Sequence, residues 1–350
     1  MKISLQKIIQ NHLYRKSIIS FLLYPLSILY AILQIIRRKI HKKGYRSRSF
    51  VISVGNIVSG GSGKTPFTIF LANYLQEKGY KTAISHRGYK GSFEHSTVLI
   101  SDRDKIFPKA RLAGDEAHLI AQKCPDIPVV TGKNRTKAIQ LLESAFLDLQ
   151  IIILDDSFQH LKVRHDFDFL IFNSIGGIGN GFVLPAGILR EPLSALQFSD
   201  CIVWQGQDEP LPKIKNYKKP IFRTHYTINK ISNQSGESLS LEHFHKGNIA
   251  LLSGIGLPAS FENTVHAAGF KFVFHEKMPD HFDYQDKAFF SYLKEKLKQK
   301  KIDFLFTTEK DAVKLTQANL PLFVVEIGYH FAAFSEFETL ISKTLKNGVL

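Results

Sequence analysis

The chain has 350 residues, more than one hydrophobic core usually serves, so two domains are expected. With 44% hydrophobic and 22% charged residues it is neither disordered nor collagen-like, and Cys124 and Cys201, far apart in sequence, make neither a disulfide framework nor a zinc site. The net charge of +15 is not spread: residues 1 to 48 hold eleven Lys and Arg and no acid, leaving 35 basic against 31 acidic residues elsewhere. No nucleic-acid partner is therefore expected.

Ser17 to Ile36 carry no formal charge, and as a helix they are long enough to cross a bilayer core of ~30 Å. Pro25, Ser20, Ser27 and Gln34 dilute the run, and Tyr24 and Tyr30 suit an interface, which favours a helix lying in or dipping into one leaflet over one that spans. A cleaved signal is disfavoured because Ile36 runs straight into Arg37, Arg38 and Lys39. A buried core helix is the competing reading. The basic stretch Arg37 to Arg48 would be held on the cytoplasmic side against anionic headgroups.

From Phe50, short apolar runs alternate with amphipathic stretches. Strands are predicted at Phe50 to Val54, Thr82 to Ser85, Ile127 to Val130, Gln150 to Leu154, Phe167 to Phe172 and Asp200 to Trp204. Helices are predicted at Thr65 to Lys78, Asp115 to Lys123 and Arg135 to Leu147. This is the pattern of a doubly wound parallel α/β sheet. Residues 206–248, rich in Pro, Lys, Ser and Asn, read as a connector. The alternation then resumes, with strands at Ile249 to Leu252, Phe270 to Phe274, Phe304 to Thr307 and Leu322 to Glu326, and helices at Ser260 to Ala268 and Ala288 to Lys298. The expected organisation is a membrane-associated helix in 1–48, a first domain in 49–205, the connector, and a smaller α/β domain in 249–350.

The first strand leads into Gly55-Asn56-Ile57-Val58-Ser59-Gly60-Gly61-Ser62-Gly63-Lys64-Thr65 and then a helix, the context of a nucleotide phosphate loop. Gly60, Gly61, Ser62 and Gly63 would let backbone N–H groups wrap phosphates. Lys64 would reach the β and γ phosphates of a nucleotide, Thr65 would hold Mg²⁺, and Pro66 fits the first helical turn. Strict spacing wants glycine at position 58, where Val58 stands. The strand Ile151 to Leu154 ends in Asp155-Asp156, carboxylates placed to meet a hydrated Mg²⁺ at the sheet's carboxyl edge. A P-loop NTPase-like first domain follows.

Together these residues resemble the tetraacyldisaccharide 4'-kinases, which phosphorylate the membrane-embedded precursor of lipid A. The resemblance runs nearly end to end: the basic N-terminal helix, Gly60 to Pro66, Arg87-Gly88-Tyr89, Gly114-Asp115-Glu116, Asp155-Asp156 with Phe158-Gln159-His160, Leu184 to Gly187, Arg190-Glu191-Pro192, Gly254 to Pro258, Asp280-His281 and Thr308 to Asp311. Ser157, Leu257 and His86 depart from the usual pattern. The resemblance implies ATP and Mg²⁺ as cofactors, tetraacyldisaccharide 1-phosphate as acceptor, and the cytoplasmic face of the inner membrane of a Gram-negative bacterium as location. It makes Asp115 the general base, His281 its partner and Arg190 a guanidinium near the transferring phosphoryl group. Arg87, Gln159 and His160 are weaker substrate candidates. For Glu309, Lys310 and Asp311, capping of a helix near Thr308 is the plain account. A membrane-associated P-loop ATPase or GTPase switch would share the loop and the carboxylates but gives no reason for His281.

Overall fold

The computed structural model describes residues 12–40, 44–89, 91–93, 95–107, 112–315 and 320–349. Lys2, Lys7, Lys42 and Lys43 of the basic N-terminal region lie outside them. Helix α1 (Ile18–Ile40) takes the apolar run and continues through Arg37, Arg38 and Lys39, three cations in its last turn, where the helix dipole favours them. Ser20 and Ser27 are its buried residues, whereas Ile18, Leu22, Leu26, Leu29, Leu33, Ile36 and Ile40 are exposed. Those seven recur at three- and four-residue steps and form one stripe, so the apolar face points away from the protein. The buried-core-helix reading is excluded.

The chain forms two compact units, Met1–Thr224 with Phe331–Leu350, and His225–His330. In the first, β1 (Phe50–Gly55), α2 (Lys64–Glu77), β2 (Thr82–His86), β3 (Val98–Ser101), α3 (Asp115–Lys123), β4 (Val129–Thr131), α4 (Arg135–Ala145), β5 (Ile151–Asp155), β6 (Phe167–Asn173) and β7 (Cys201–Gln205) follow one another. The strand order is β3-β4-β2-β5-β1-β6-β7, parallel except for the β3–β4 edge pair. β1, β2, β5 and β7 are buried almost throughout, which explains their unbroken apolar runs. The chain crosses from β5 over β1 to β6, and such a reversal opens a crevice at the carboxyl ends of the strands. The register Val54↔Asp155 puts the phosphate loop and the paired carboxylates at that crevice.

A short helix α5 (Pro212–Lys215) and the long strand β8 (Ile221–Asn233) occupy much of the predicted connector. The start of β8 pairs with β7, and its later part makes a hairpin with β9 (Ser238–Leu239). The second unit adds α6 (Leu241–Phe244), β10 (Ile249–Ser253), α7 (Pro258–Ala267), β11 (Phe272–Lys277), α8 (Lys287–Gln299), β12 (Phe304–Thr308), α9 (Glu309–Ala312) and β13 (Leu322–Phe331). Its parallel order is β11-β10-β12-β13. Two apolar clusters lie around Phe244, Phe261 and Phe306 and around Leu252, Leu293 and Leu305.

The last helix, α10 (Phe334–Gly348), belongs to the first unit, so the predicted 249–350 domain ends early. The physical reason is aromatic: the fully buried Phe337 ring lies 5.4 Å from Phe222, 6.2 Å from Phe169 and 6.5 Å from Phe67, all in the first unit.

Candidate nucleotide and phosphoryl-transfer site

Gly63 precedes α2 with φ 84°, a left-handed conformation that glycine adopts without steric cost, and Gly60 stands at φ 105°. Val58 replaces the expected first glycine without strain because its backbone forms an antiparallel bridge with Leu189. Asn56 Nδ2 donates to Ser62 Oγ at 2.7 Å, and Gln159 Nε2 donates to the Asn56 carbonyl at 2.7 Å, bracing the loop from within. Gln159 is thus a structural brace of the phosphate loop.

Lys64 opens α2, its ammonium 3.5 Å from Asp156 Oδ1. Thr65 and Thr68 hydroxyls both donate to Asp155, to Oδ2 and Oδ1, each at 3.0 Å. The side chain of Asp155 is 1% exposed and that of Asp156 is 28% exposed, so the first faces the interior and the second the crevice. Arg190 donates to Asp156 Oδ1 at 3.4 Å. The two carboxyls are driven apart in acidity. Burial pushes Asp155 up, with Glu116 and Asp156 adding to the effect against His86 and Lys64. Burial acts on Asp156 too, but Lys64, Arg190 and Arg135 outweigh it and hold that carboxyl below the usual range.

Three residues with no assigned role complete the frame. His86 Nδ1 accepts from the Gly88 N–H at 2.9 Å, which leaves the proton on Nε2, 3.3 Å from Glu116 and 3.6 Å from Asp155. Glu116 stands beside Asp115 in the first turn of α3, where the helix dipole favours acids. Arg135 is buried beneath the crevice and donates to Ser85 Oγ at 3.2 Å and to the Asp155 carbonyl. Burial lowers its pKa to about 10, against the pull of Asp155 and Asp156, so it stays charged. Nothing in the sequence marks Arg135, whose neighbours are those of any helix start. Ser157, the departure after the acid pair, donates to the Leu154 carbonyl at 3.1 Å and lies 3.1 Å from Ser53 Oγ, a hydrogen-bonded use of the position.

His160 is partly buried, and desolvation with Arg135, His165, Arg37 and Lys162 nearby lowers its pKa to about 4, so it is neutral at physiological pH. Arg87 is half-buried, with its guanidinium 5.7 Å from the Tyr89 ring. In the second unit three of the sequence motifs converge. Asp311 accepts from the Gly254 N–H at 3.0 Å, Tyr284 OH at 3.1 Å and Thr308 Oγ1 at 2.6 Å. Thr308 caps α9 as expected, and the buried Asp311 ties three loops together besides. His281 stands there at φ 61°, its N–H donating to the Gly254 carbonyl at 3.3 Å, with the Lys310 ammonium 3.4 Å from its Nε2 and 3.0 Å from Asp280.

A parallel α/β sheet with a phosphate loop after its central strand, a lysine and a threonine at the helix start, and paired carboxylates on the adjacent strand defines a P-loop nucleotide-dependent enzyme. A profile of the tetraacyldisaccharide-1-P 4'-kinase family matches residues 19–346. The tetraacyldisaccharide 4'-kinase of Histophilus somni is 34% identical over 346 residues, covering 96% of this chain and 98% of that protein. That of Pelobacter propionicus is 34% identical over 304 residues, covering 84% and 82%. The crystal structure of Aquifex aeolicus LpxK in complex with ATP superposes with a TM-score of 0.74 at 27% identity, covering 93% of this chain and 99% of that one. The chain belongs to the tetraacyldisaccharide 4'-kinase family.

Proposed function

We infer that the protein transfers the γ-phosphoryl group of ATP to the 4'-hydroxyl of tetraacyldisaccharide 1-phosphate at a membrane surface. The observation that carries this reading is the arrangement of Lys64 against Asp156 and Thr65 against Asp155 at the carboxyl edge of the sheet. In the transfer the bond from the γ phosphorus to its bridging oxygen breaks and one to the sugar oxygen forms, while the hydroxyl proton passes to the Asp115 carboxylate. Lys64 and the loop amides of Gly60 to Gly63 hold the phosphates, and Arg190 faces the charge that develops on the moving group. His281 is the residue that the family pattern pairs with Asp115. Arg87 and the neutral His160 remain candidates for polar contacts with the acceptor.

Mg²⁺ suits the donors present: a threonine hydroxyl and two carboxylates are hard oxygen ligands, and a buried Asp155 whose charge is opposed by Glu116 and Asp156 is a group that a cation would relieve. Thr65, Asp155 and Asp156 would hold it, and it would supply neutralisation of phosphate charge. Helix α1 would lie on the anionic cytoplasmic face of the inner membrane. A helix fastened to the protein at Ser20, Ser27 and Arg38, with leucines on its outer stripe, supports lying over spanning.

The test is incubation with γ-labelled ATP and tetraacyldisaccharide 1-phosphate in detergent micelles, followed by chromatography. Label on the lipid is expected. Label found only in inorganic phosphate would favour an ATPase switch and overturn the reading.

A further inference from the structure

Helix α1 is fastened to the phosphate loop through a strap, residues 180–191. Ser27 Oγ donates to the Val183 carbonyl at 2.8 Å and accepts from the Ala186 N–H at 2.9 Å, both in buried surroundings. Asn180 Nδ2 reaches Ser20 Oγ at 3.3 Å and the Ala186 carbonyl at 2.7 Å. Further along, the strap grips the loop: the Ser59 N–H donates to the Ile188 carbonyl at 2.8 Å, and the Arg190 N–H donates to the Ile57 carbonyl at 2.7 Å. The helix and the phosphate loop are two hydrogen bonds apart by this route.

A second route runs through Arg38. Its Nη2 donates to Glu191 Oε1 at 2.9 Å and to the Phe158 carbonyl at 3.2 Å, and its Nε donates to Glu191 Oε2. The guanidinium lies 4.2 Å from the Phe158 ring centroid and 5.1 Å from that of Phe198. Glu191 is 2% exposed, and Arg37 adds a bond to the Gln159 carbonyl at 3.1 Å. Phe158 is two residues beyond Asp156, and Glu191 adjoins Arg190. One planar, doubly hydrogen-bonded and stacked cation therefore joins the segments that carry Asp156 and Arg190.

We propose that Arg38 is a positioning residue for phosphoryl transfer: by clamping Glu191 to the Phe158 carbonyl it fixes Arg190 and Asp156 against the phosphate loop, which makes the membrane helix part of the frame of the site as well as its anchor. The proposal rests on the kinase reading given above. Its test uses the full chain in mixed micelles, comparing wild type with Arg38→Met, Arg38→Lys and the double variant Arg38→Met/Glu191→Leu. For each, kcat, KM for ATP and for lipid, thermal midpoint and flotation with anionic vesicles are measured.

Arg38→Met is expected to lose kcat by about 100-fold, the scale of a misplaced catalytic group, with both KM values within about twofold and flotation unchanged. Arg38→Lys keeps the charge but not the fork or the stacking, and should recover only part of the rate. The double variant removes the orphaned buried carboxylate, so its thermal midpoint should return towards wild type while kcat stays low. A kcat that recovers with the midpoint, a loss confined to KM, lost flotation, or a fully active Arg38→Met would each overturn the proposal alone. A wild type that puts no label on lipid overturns the kinase reading, and the proposal with it.

Discussion

Lys64 and Asp155 do opposite things to the free protein, and that contrast makes them useful probes. Lys64 lies at the helix start, ion-paired with Asp156 and holding that carboxyl low, so Lys64→Ala should keep the circular dichroism of the folded protein, lower the thermal midpoint modestly and lower phosphoryl transfer by at least about 100-fold. Asp155 is held above its ordinary pKa by burial first, with Glu116 and Asp156 reinforcing it. The native state therefore binds that proton more tightly than the unfolded chain does. Stability falls as pH rises from the unfolded carboxylate range through the raised folded value, and the loss persists at neutral pH. Asp155→Asn escapes it. Without nucleotide and metal, the variant should melt above wild type at pH 7.5, and the gap should narrow as wild type takes up its proton in acid. The same variant should have lost at least about 100-fold in activity, because the charge is kept for function at a cost in stability. A variant that melts below wild type at every pH would show that the bonds from Thr65 and Thr68 outweigh the buried charge.

At the scale of elements, sequence periodicity found what is local and missed what is closed by distant partners. β1, β2, β5, β6 and β7 were legible as apolar runs because parallel strands are buried on both faces, and the phosphate loop was legible because glycines and a Gly-Lys-Thr triplet must occur in that order. The edge strand β3 is four residues long and pairs antiparallel with β4, too short for a pattern to separate it from a loop. β8 hides in a connector-like composition because most of its thirteen residues are only half-buried, with Phe222, Thr224 and Ile231 alone buried. Arg135, His86 and Arg38 act through contacts 20 to 153 residues away in sequence, and no spacing rule could reveal them. Helix α10 shows the same limit: Phe337, Ile341 and Leu345 make a regular stripe, but which unit it covers is decided by rings elsewhere. Phe337→Ala should destabilise the first unit by about 3–5 kcal/mol, the cost of a cavity in a well-packed core. Denaturant titration at fixed m-value measures it. A change under about 1 kcal/mol would mean that α10 is held by its other contacts and that the aromatic cluster can close over the gap.

Across the whole molecule, the charge distribution and the exposed stripe of α1 bear on the same question, how an enzyme with a nearly neutral body meets a lipid acceptor. Ile18, Leu22, Leu26, Leu29, Leu33, Ile36 and Ile40 face outward, whereas Ser20 and Ser27 face the protein and are bonded to it. Deleting the helix would confuse two roles, because it would also remove Ser27 from the strap that holds the phosphate loop. Substituting the outer stripe alone separates them. Each leucine side chain moved from water into an apolar phase contributes about 1.5–3 kcal/mol, so changing Leu22, Leu26, Leu29 and Leu33 together to Ser removes most of the driving force for insertion. The basic residues flanking the helix remain and supply a weaker, salt-sensitive attraction to anionic lipid. The quadruple variant should fold with an unchanged thermal midpoint, since none of the four is buried. It should float with anionic vesicles only at low salt, and its KM for the lipid acceptor should rise while KM for ATP and kcat at saturating acceptor stay within about twofold of wild type. Undiminished flotation at physiological salt would show that the stripe is not what meets the membrane. A fall in kcat with unchanged flotation would show instead that the exposed leucines shape the site.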